Sequence, residues 1–230
     1  DTPDKIRDMI IAMMFKSSYW GYLFTRIHRR EKDLGPLFVM GVESDKEGNV
    51  ALIYNEKKVK NTENKTLLLL MEHEGMHLLN KHLSRLLRII ANDLNNNNME
   101  IVGYKSYVWN LAADMVVNHQ MSLPKMLTVD KQPFEPYHFD AFNFKPGSPT
   151  EYYFYELLRK HDQKLKSQYN MIKNLMGYGD GESRPLTEDE KKLLKKLIDK
   201  HADWVKDIGN ITDLHSYARR VEQTTVQAVA

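Results

Sequence analysis

The order of apolar and polar positions along the chain predicts mostly helices, with one short β-hairpin near the N-terminal end. Across residues 5–31, apolar side chains recur every three or four positions, which predicts a single helix. The runs 37–42 and 50–54 are short and apolar, and a turn-forming segment at 44–49 separates them, so they predict a hairpin. The most apolar stretch, 66–91, predicts a long buried helix.

The second half of the chain predicts three further helices and one long loop. Residues 104–121 form the first helix, and the aromatic, proline-rich segment 125–147 is an ordered loop that packs through its own rings. Segment 148–151 is a capping box with proline at the first helical position, and it begins a helix that runs to about residue 176. Another capping box begins a helix over 187–205. The expected fold class is therefore α+β, mostly helical.

Length and composition favour one globular domain. The chain has 230 residues, of which 42% are hydrophobic and 28% charged, as is usual for a soluble protein. We expect a single domain over 1–230, with a core at about 35–205 and a C-terminal extension or linker at 206–230. The longest wholly apolar run, 67–71, is far shorter than the roughly 20 residues of a membrane helix, so no membrane partner is expected. Nothing signals export, and we expect a cytoplasmic protein.

Charge and cysteine content restrict the possible partners and metal ligands of the chain. Lys and Arg number 33 against 31 Asp and Glu, for a net charge of +2, so a nucleic-acid partner is not expected. The chain has no cysteine, which excludes disulfides and thiolate metal sites. Histidine, aspartate and glutamate remain as the strong metal ligands.

One short segment of the apolar helix carries candidate chemistry. It runs His73, Glu74, Gly75, Met76, His77. At about 100° per residue, His73 and His77 lie roughly 40° apart around the helix and one turn along it, so both imidazoles can reach one ion. This His-Glu-x-x-His pattern binds zinc through the histidines and uses the glutamate as general base. The pattern also arises by chance, but burying these groups in an apolar helix is costly unless a cation pairs them.

Zinc in such a site needs a third protein ligand and an open position for water. Asp114 is our expected third ligand, because Asn110, Asp114 and Asn118 form a polar stripe at every fourth position of an apolar helix. A solvated helix face is the alternative interpretation of that stripe. His82 is nearer in sequence, but an unbroken helix turns it roughly 140° away from His77. Neither glycine nor proline separates the two histidines, so we expect His82 to lie outside the metal ligands.

The order of these motifs resembles a known family. The zinc motif is followed by His82 and Arg85, then by WNLAADMVVN at 109–118, PGSPTEYY at 146–153 and HADW at 201–204. This order is similar to the predicted metallopeptidase domain that precedes a von Willebrand factor A-like domain in many bacterial and phage proteins. The resemblance covers about residues 35–205, and the pairing of the zinc motif with segment 109–118 is far more specific than the zinc motif alone.

The resemblance implies a zincin-like fold, with a short β-hairpin and an active-site helix, and a zinc peptidase activity on peptide or protein substrates. It matches His82, Arg85, Asn110 and Asp114 to family residues, and it makes His201 a candidate for stabilising the oxyanion or binding the metal. A histidine near a helix C-terminus is also favourable with the helix dipole alone. The third ligand therefore stays open between Asp114, His82 and His201 on the family pattern.

Two departures from the family matter. Many members carry glycine just before the histidine that matches His82, and often proline after it, where this chain has Lys81 and Leu83. This favours a structural or ligand-supporting role for His82. The 230 residues also leave no room for an A-type domain, so the implied von Willebrand factor A-like partner is encoded separately, cut away or absent.

We therefore expect a zinc-dependent peptide hydrolase. His73, His77 and Asp114 would hold Zn²⁺, and Glu74 would act as general base. The remaining candidates would support the ligands or contact substrate: His82, Arg85, Asn110, Asn118 and His201. The alternative is a non-catalytic, metal-stabilised interaction module, or a nucleic-acid-associated accessory module, on a zincin scaffold. An intact Glu74 favours the enzyme, because a purely structural site gains nothing from a general base.

Overall fold

The computed structural model describes residues 2–33, 38–175 and 214–229, and helices dominate these ranges. The helices are α1 (Thr2–Lys16), α2 (Ser18–Arg26), α3 (Glu56–Asn61), α4 (Asn64–Leu79), α5 (His82–Asn95), α6 (Met99–Gln120), α7 (Thr150–Leu175) and α8 (Leu214–Val229). The strands are β1 (His28–Glu31), β2 (Met40–Ser44), β3 (Val50–Tyr54), β4 (Leu127–Val129) and β5 (Gln132–Phe134). The expected α+β, mostly helical class is confirmed. The helix expected over 187–205 lies outside the described residues.

A three-stranded sheet of order β1-β3-β2 lies against the helices. Strands β2 and β3 pair antiparallel, with Gly41 opposite Ile53, so the hairpin expected here is confirmed. All five residues of β2 are buried, so this edge of the sheet is covered rather than open to an added strand. The segment expected to be a loop, 125–147, contains a second small hairpin formed by β4 and β5.

The single helix expected over 5–31 is wrong in its second half. The chain breaks after Lys16, α2 folds back on α1, and residues 28–31 form β1, which pairs parallel with β3. Gly21 permits the close return, since a Cβ there would lie 2.2 Å from Cγ of Met14. Arg30 on β1 pairs with Asp45 at 3.0 Å, a contact between distant segments that local periodicity does not encode.

The long helix expected over 66–91 is also wrong, because it divides into α4 and α5 at Asn80 and Lys81. Lys81 has φ 55°, in the left-handed region, where a residue with a side chain is strained by about 1–2 kcal/mol. Nη1 of Arg85 donates a hydrogen bond to the carbonyl oxygen of Asn80 at 2.9 Å, which satisfies a free carbonyl at the end of α4. The break turns His82 into the interior, where its exposed fraction is 0%.

The left-handed backbone at the break predicts an unusual order of stabilities. The free energy of unfolding of Lys81→Gly is expected to be about 1 kcal/mol higher than that of Lys81→Ala, because only alanine retains the backbone strain. Both variants lose the ion pair of Lys81 with Glu222 equally. Urea titration of the two variants measures the difference. At Gln163, which is exposed inside α7, the same pair of substitutions should give the opposite order. Equal stability at position 81 would contradict the strain.

Residues from both ends of the chain contribute to the hydrophobic core. Met13 of α1 and Phe24 of α2 are fully buried, so the hydrophobic core includes residues well before position 35. Residues 214–229, expected to be an extension or linker, form α8, which packs on α5. The Tyr217 hydroxyl lies 2.6 Å from that of Ser44 and donates to the Asp45 carbonyl at 2.9 Å. These contacts fasten α8 to the sheet.

Gly75, within the His-Glu-x-x-His segment, lets α2 pack directly on α4. A Cβ at Gly75 would lie 2.6 Å from Cζ3 of Trp20, so any side chain there would push the indole away. Trp20 therefore covers the outer side of the helix turn that carries His73 and His77. Among the described helices, none has the length and apolar character needed to cross a bilayer.

Candidate metal centre

Three candidate ligand atoms from two helices meet inside the protein. Nε2 of His73 and Nε2 of His77, both on α4, lie 2.9 Å apart. Oδ1 of Asp114, on α6, lies 3.5 Å from the His73 nitrogen and 3.2 Å from the His77 nitrogen. The three residues are buried, and they are the group of potential metal ligands that the described part of the chain brings together.

The spacing and chemistry of these atoms fit a metal ion. Tetrahedral bonds of about 2.0–2.2 Å separate neighbouring ligand atoms by about 3.3 Å, and the three observed separations lie close to that value. Two imidazoles and a carboxylate suit several divalent transition metals, including zinc. His73, His77 and Asp114 can therefore hold a metal ion, and the residue pattern alone does not single out zinc.

Glu74 lies beside this group in the same turn of α4. Its exposed fraction is 1%, far below that of an ordinary glutamate, so its carboxyl group belongs to the interior of the protein. Burial of a carboxylate is costly unless polar or charged groups surround it. A cation held by His73, His77 and Asp114 would supply positive charge in the same part of the interior.

His82 lies against His77, a candidate metal ligand, rather than facing away, contrary to our expectation from an unbroken helix. Because the chain breaks at Lys81, His82 Nδ1 comes within 3.0 Å of His77 Nδ1. That nitrogen is the one on the far side of the His77 ring from Asp114, so His82 does not join the three ligand atoms. On its other side, His82 Nε2 lies 3.1 Å from the Thr150 hydroxyl.

Arg85 fastens the start of α7 to the break between α4 and α5. Its Nε donates to Oε1 of Glu151 at 2.7 Å, and its Nη2 donates to the other carboxylate oxygen. These hydrogen bonds lower the pKa of Glu151 and oppose the raising effect of partial burial. The guanidinium also lies 5.6 Å from the ring centre of Trp109. Arg85 is thus placed to hold helices together around the site.

The two asparagines of the polar stripe are buried on α6 on either side of Asp114. We expected both to hold the aspartate. Asn118 Nδ2 instead donates to the main-chain carbonyl of Tyr137 at 2.8 Å, so it anchors the loop that follows β5. Oδ1 of Asn110 accepts no hydrogen bond from the described residues. The solvated-face interpretation of the stripe is wrong, since all three residues are buried.

A tyrosine near Asp114 was overlooked by sequence reasoning, which treated the aromatic loop as packing. Burial raises the pKa of Tyr137 well above its usual value, and the negative charge of Asp114 raises it further. Its neighbour Tyr107 is shifted in the same direction, chiefly by burial. Tyr137 therefore remains a neutral hydroxyl. The packing interpretation does describe the neighbouring rings, since Phe142 stacks on Phe144 at a centroid distance of 6.1 Å.

Two further residues bear on the site, of which His201 was predicted from the sequence and Thr150 was not. His201 lies outside the described residues, so its predicted role stays a prediction. Thr150 was noted only as part of a capping box, yet its side chain reaches His82 and is 1% exposed. No local pattern would have found this contact, because 68 positions separate the two residues.

Comparisons with known proteins found no relative of this chain. Neither protein-family models, nor curated proteins, nor solved structures gave a match to the chain. The function is therefore inferred from the residues that meet at the site and from the motif that they form.

Proposed function

We propose that this chain is a zinc-dependent hydrolase of peptide bonds with a zincin-like active site. The observation that carries the proposal is the meeting of three ligand atoms with a buried glutamate on the same helix turn. Structural zinc sites are closed by four protein ligands, whereas catalytic sites use three and leave a position for water. The group found in the described residues has three members, which supports the catalytic type.

The proposed mechanism divides the work among four side chains. His73, His77 and Asp114 would hold the ion, which when bound supplies Lewis-acid chemistry toward a water molecule and a peptide carbonyl. Glu74 accepts the proton of the attacking water and then delivers it to the leaving amine. The low exposure of Glu74 supports this role, because a carboxylate sheltered from solvent retains the proton until the amine leaves.

Burial also favours a second candidate function. His77 and Glu74 are each 1% exposed, and the neighbouring edge strand β2 is covered, so an extended peptide must displace part of the surroundings to enter. A metal-stabilised interaction module would need no such entry. The two candidates differ in one requirement, since only the hydrolase needs the carboxylate of Glu74.

The first experiment measures the metal content and hydrolytic activity of the purified chain. We expect about one zinc per chain, removed by 1,10-phenanthroline and restored by added zinc. Degradation of unfolded casein should follow the zinc content. His73→Ala and His77→Ala should each remove the metal, because each supplies one of the three ligand atoms. A wild-type chain that binds no transition metal would overturn the proposal.

A further inference from the structure

We propose that Thr150 is a positioning residue for His77, acting through His82, and this inference rests on the metal site of the proposed function. The three side chains form one row that crosses three helices. The Thr150 hydroxyl lies 3.1 Å from His82 Nε2, and His82 Nδ1 lies 3.0 Å from His77 Nδ1. The other nitrogen of His77, Nε2, faces Asp114 at 3.2 Å. Nothing in the zinc motif itself assigns a role to Thr150.

The row fixes where each proton sits once His77 binds a cation. A neutral imidazole carries one proton, so a ring that offers the Nε2 lone pair must carry its proton on Nδ1. That proton is donated to Nδ1 of His82, which must then carry its own proton on Nε2. The Nε2 proton of His82 is donated to the oxygen of Thr150. Each contact in the row therefore has a single direction.

The opposite order of protons is incompatible with metal binding. If Thr150 donated to His82 Nε2, then His82 would donate from Nδ1 to His77, and the His77 proton would move to Nε2. That nitrogen would then donate toward Asp114 and have no lone pair for a cation. The Thr150 hydroxyl can donate or accept, and it stabilises the binding-competent form of His77 when it accepts the His82 Nε2 proton. Hydrogen-bond partners of this kind alter metal affinity by about 10–100-fold.

Thr150 is held in a defined position by burial and by the contacts of its neighbour on α7. It is the first residue of α7 and is 1% exposed. The next residue, Glu151, is held by both the Nε and the Nη2 of Arg85. Arg85 and His82 both belong to the first turn of α5, so the hydroxyl and the imidazole are anchored to the same pair of helices.

Thr150→Val removes the hydroxyl while keeping the shape of the side chain, so it tests the hydrogen bond to His82 without leaving a cavity in the core. We expect its zinc dissociation constant to rise by about 10–100-fold, measured by competition with a chromophoric chelator. Thr150→Ser keeps the oxygen and should bind zinc like the wild type. Thr225→Val is the matched control, since Thr225 is a buried threonine on α8 whose hydroxyl donates to the Val221 carbonyl.

A second measurement reads the protons of the zinc-loaded chain directly and needs no activity. Long-range ¹⁵N–¹H correlation spectra of the zinc-loaded wild type should place the His77 proton on Nδ1 and the His82 proton on Nε2. In zinc-loaded Thr150→Val the His82 Nε2 proton has lost its acceptor, so its resonance should move, whereas in Thr150→Ser it should stay as in the wild type. This change would support the positioning role even if no peptide were cleaved, a result that would contradict the hydrolase alone. An unchanged His82 resonance in Thr150→Val, or equal zinc affinity of Thr150→Val and wild type, would overturn it.

Discussion

Glu74→Gln is expected to retain the metal and lose hydrolysis, by about 10²–10⁴-fold in kcat. Glutamine keeps the size of the side chain in its buried position, but its amide cannot accept a proton from water. The three ligand atoms belong to other residues, so metal binding should not change. Metal analysis and kcat on one responsive peptide, measured on the same preparation, separate the two effects.

Glu72→Gln is the matched control for this prediction. Glu72 lies two positions earlier on α4, where its carboxylate pairs with Lys16 at 2.7 Å and faces away from the ligand group. The same chemical change at that position should leave both metal content and hydrolysis as in the wild type. Hydrolysis that survives in Glu74→Gln would show that another group moves the proton. If neither wild type nor variant cleaves any peptide while both bind metal, the interaction module is the better description.

The features that the sequence predicted correctly are those set by neighbouring residues. The proline at 149 correctly marks the start of α7, which begins at Thr150. The capping-box bonds themselves are not formed, because the Ser148 N–H donates to the Tyr153 hydroxyl and the Glu151 carboxylate binds Arg85. The turn residues at 44–49 likewise place the hairpin of β2 and β3. The spacing of His73 and His77 follows from the helix repeat alone, and their nitrogens do converge.

The features that it missed depend on distant contacts. Residues 28–31 have no strong local preference for a strand, and they become β1 because β3 supplies main-chain partners and Asp45 supplies a charge. The break at Lys81 is similar, since a lysine with positive φ is not signalled by its own chemistry. We had expected no bend between His77 and His82 because neither glycine nor proline separates them, and this was wrong.

That single error explains the misplacement of His82. In an unbroken helix the residue faces away from His77, whereas the left-handed turn brings the two rings to a centroid distance of 5.0 Å. The meeting of Asp114 with the two histidines was easier to predict, because a polar residue in a buried, apolar helix needs a polar partner. The sequence thus predicted which three residues meet better than it predicted the side chains that lie next to them.

Asp114→Ala is expected to weaken zinc binding by more than about 100-fold, a larger effect than any change at His82. The carboxylate supplies one of three ligand atoms and the only negative charge among them, since both histidines bind as neutral rings. The expected loss applies to affinity, and far-ultraviolet circular dichroism should show that the helices persist. Asp140→Ala is the matched control, because it removes the same charge from the surface, where Asp140 pairs with Lys125.

The comparison with His82→Gln separates a ligand from a residue that supports one. A glutamine at position 82 can still accept the proton of His77 Nδ1 through its side-chain oxygen, so we expect it to retain more affinity than Asp114→Ala. If His82 were itself the third ligand, the order would reverse, and His82→Gln would lose the metal while Asp114→Ala retained it. A crystal structure with zinc then provides the direct measurement. An Asp114 oxygen at about 2.0–2.2 Å from the ion, with His82 bonded to His77 instead, is the arrangement expected from the meeting of α4 and α6.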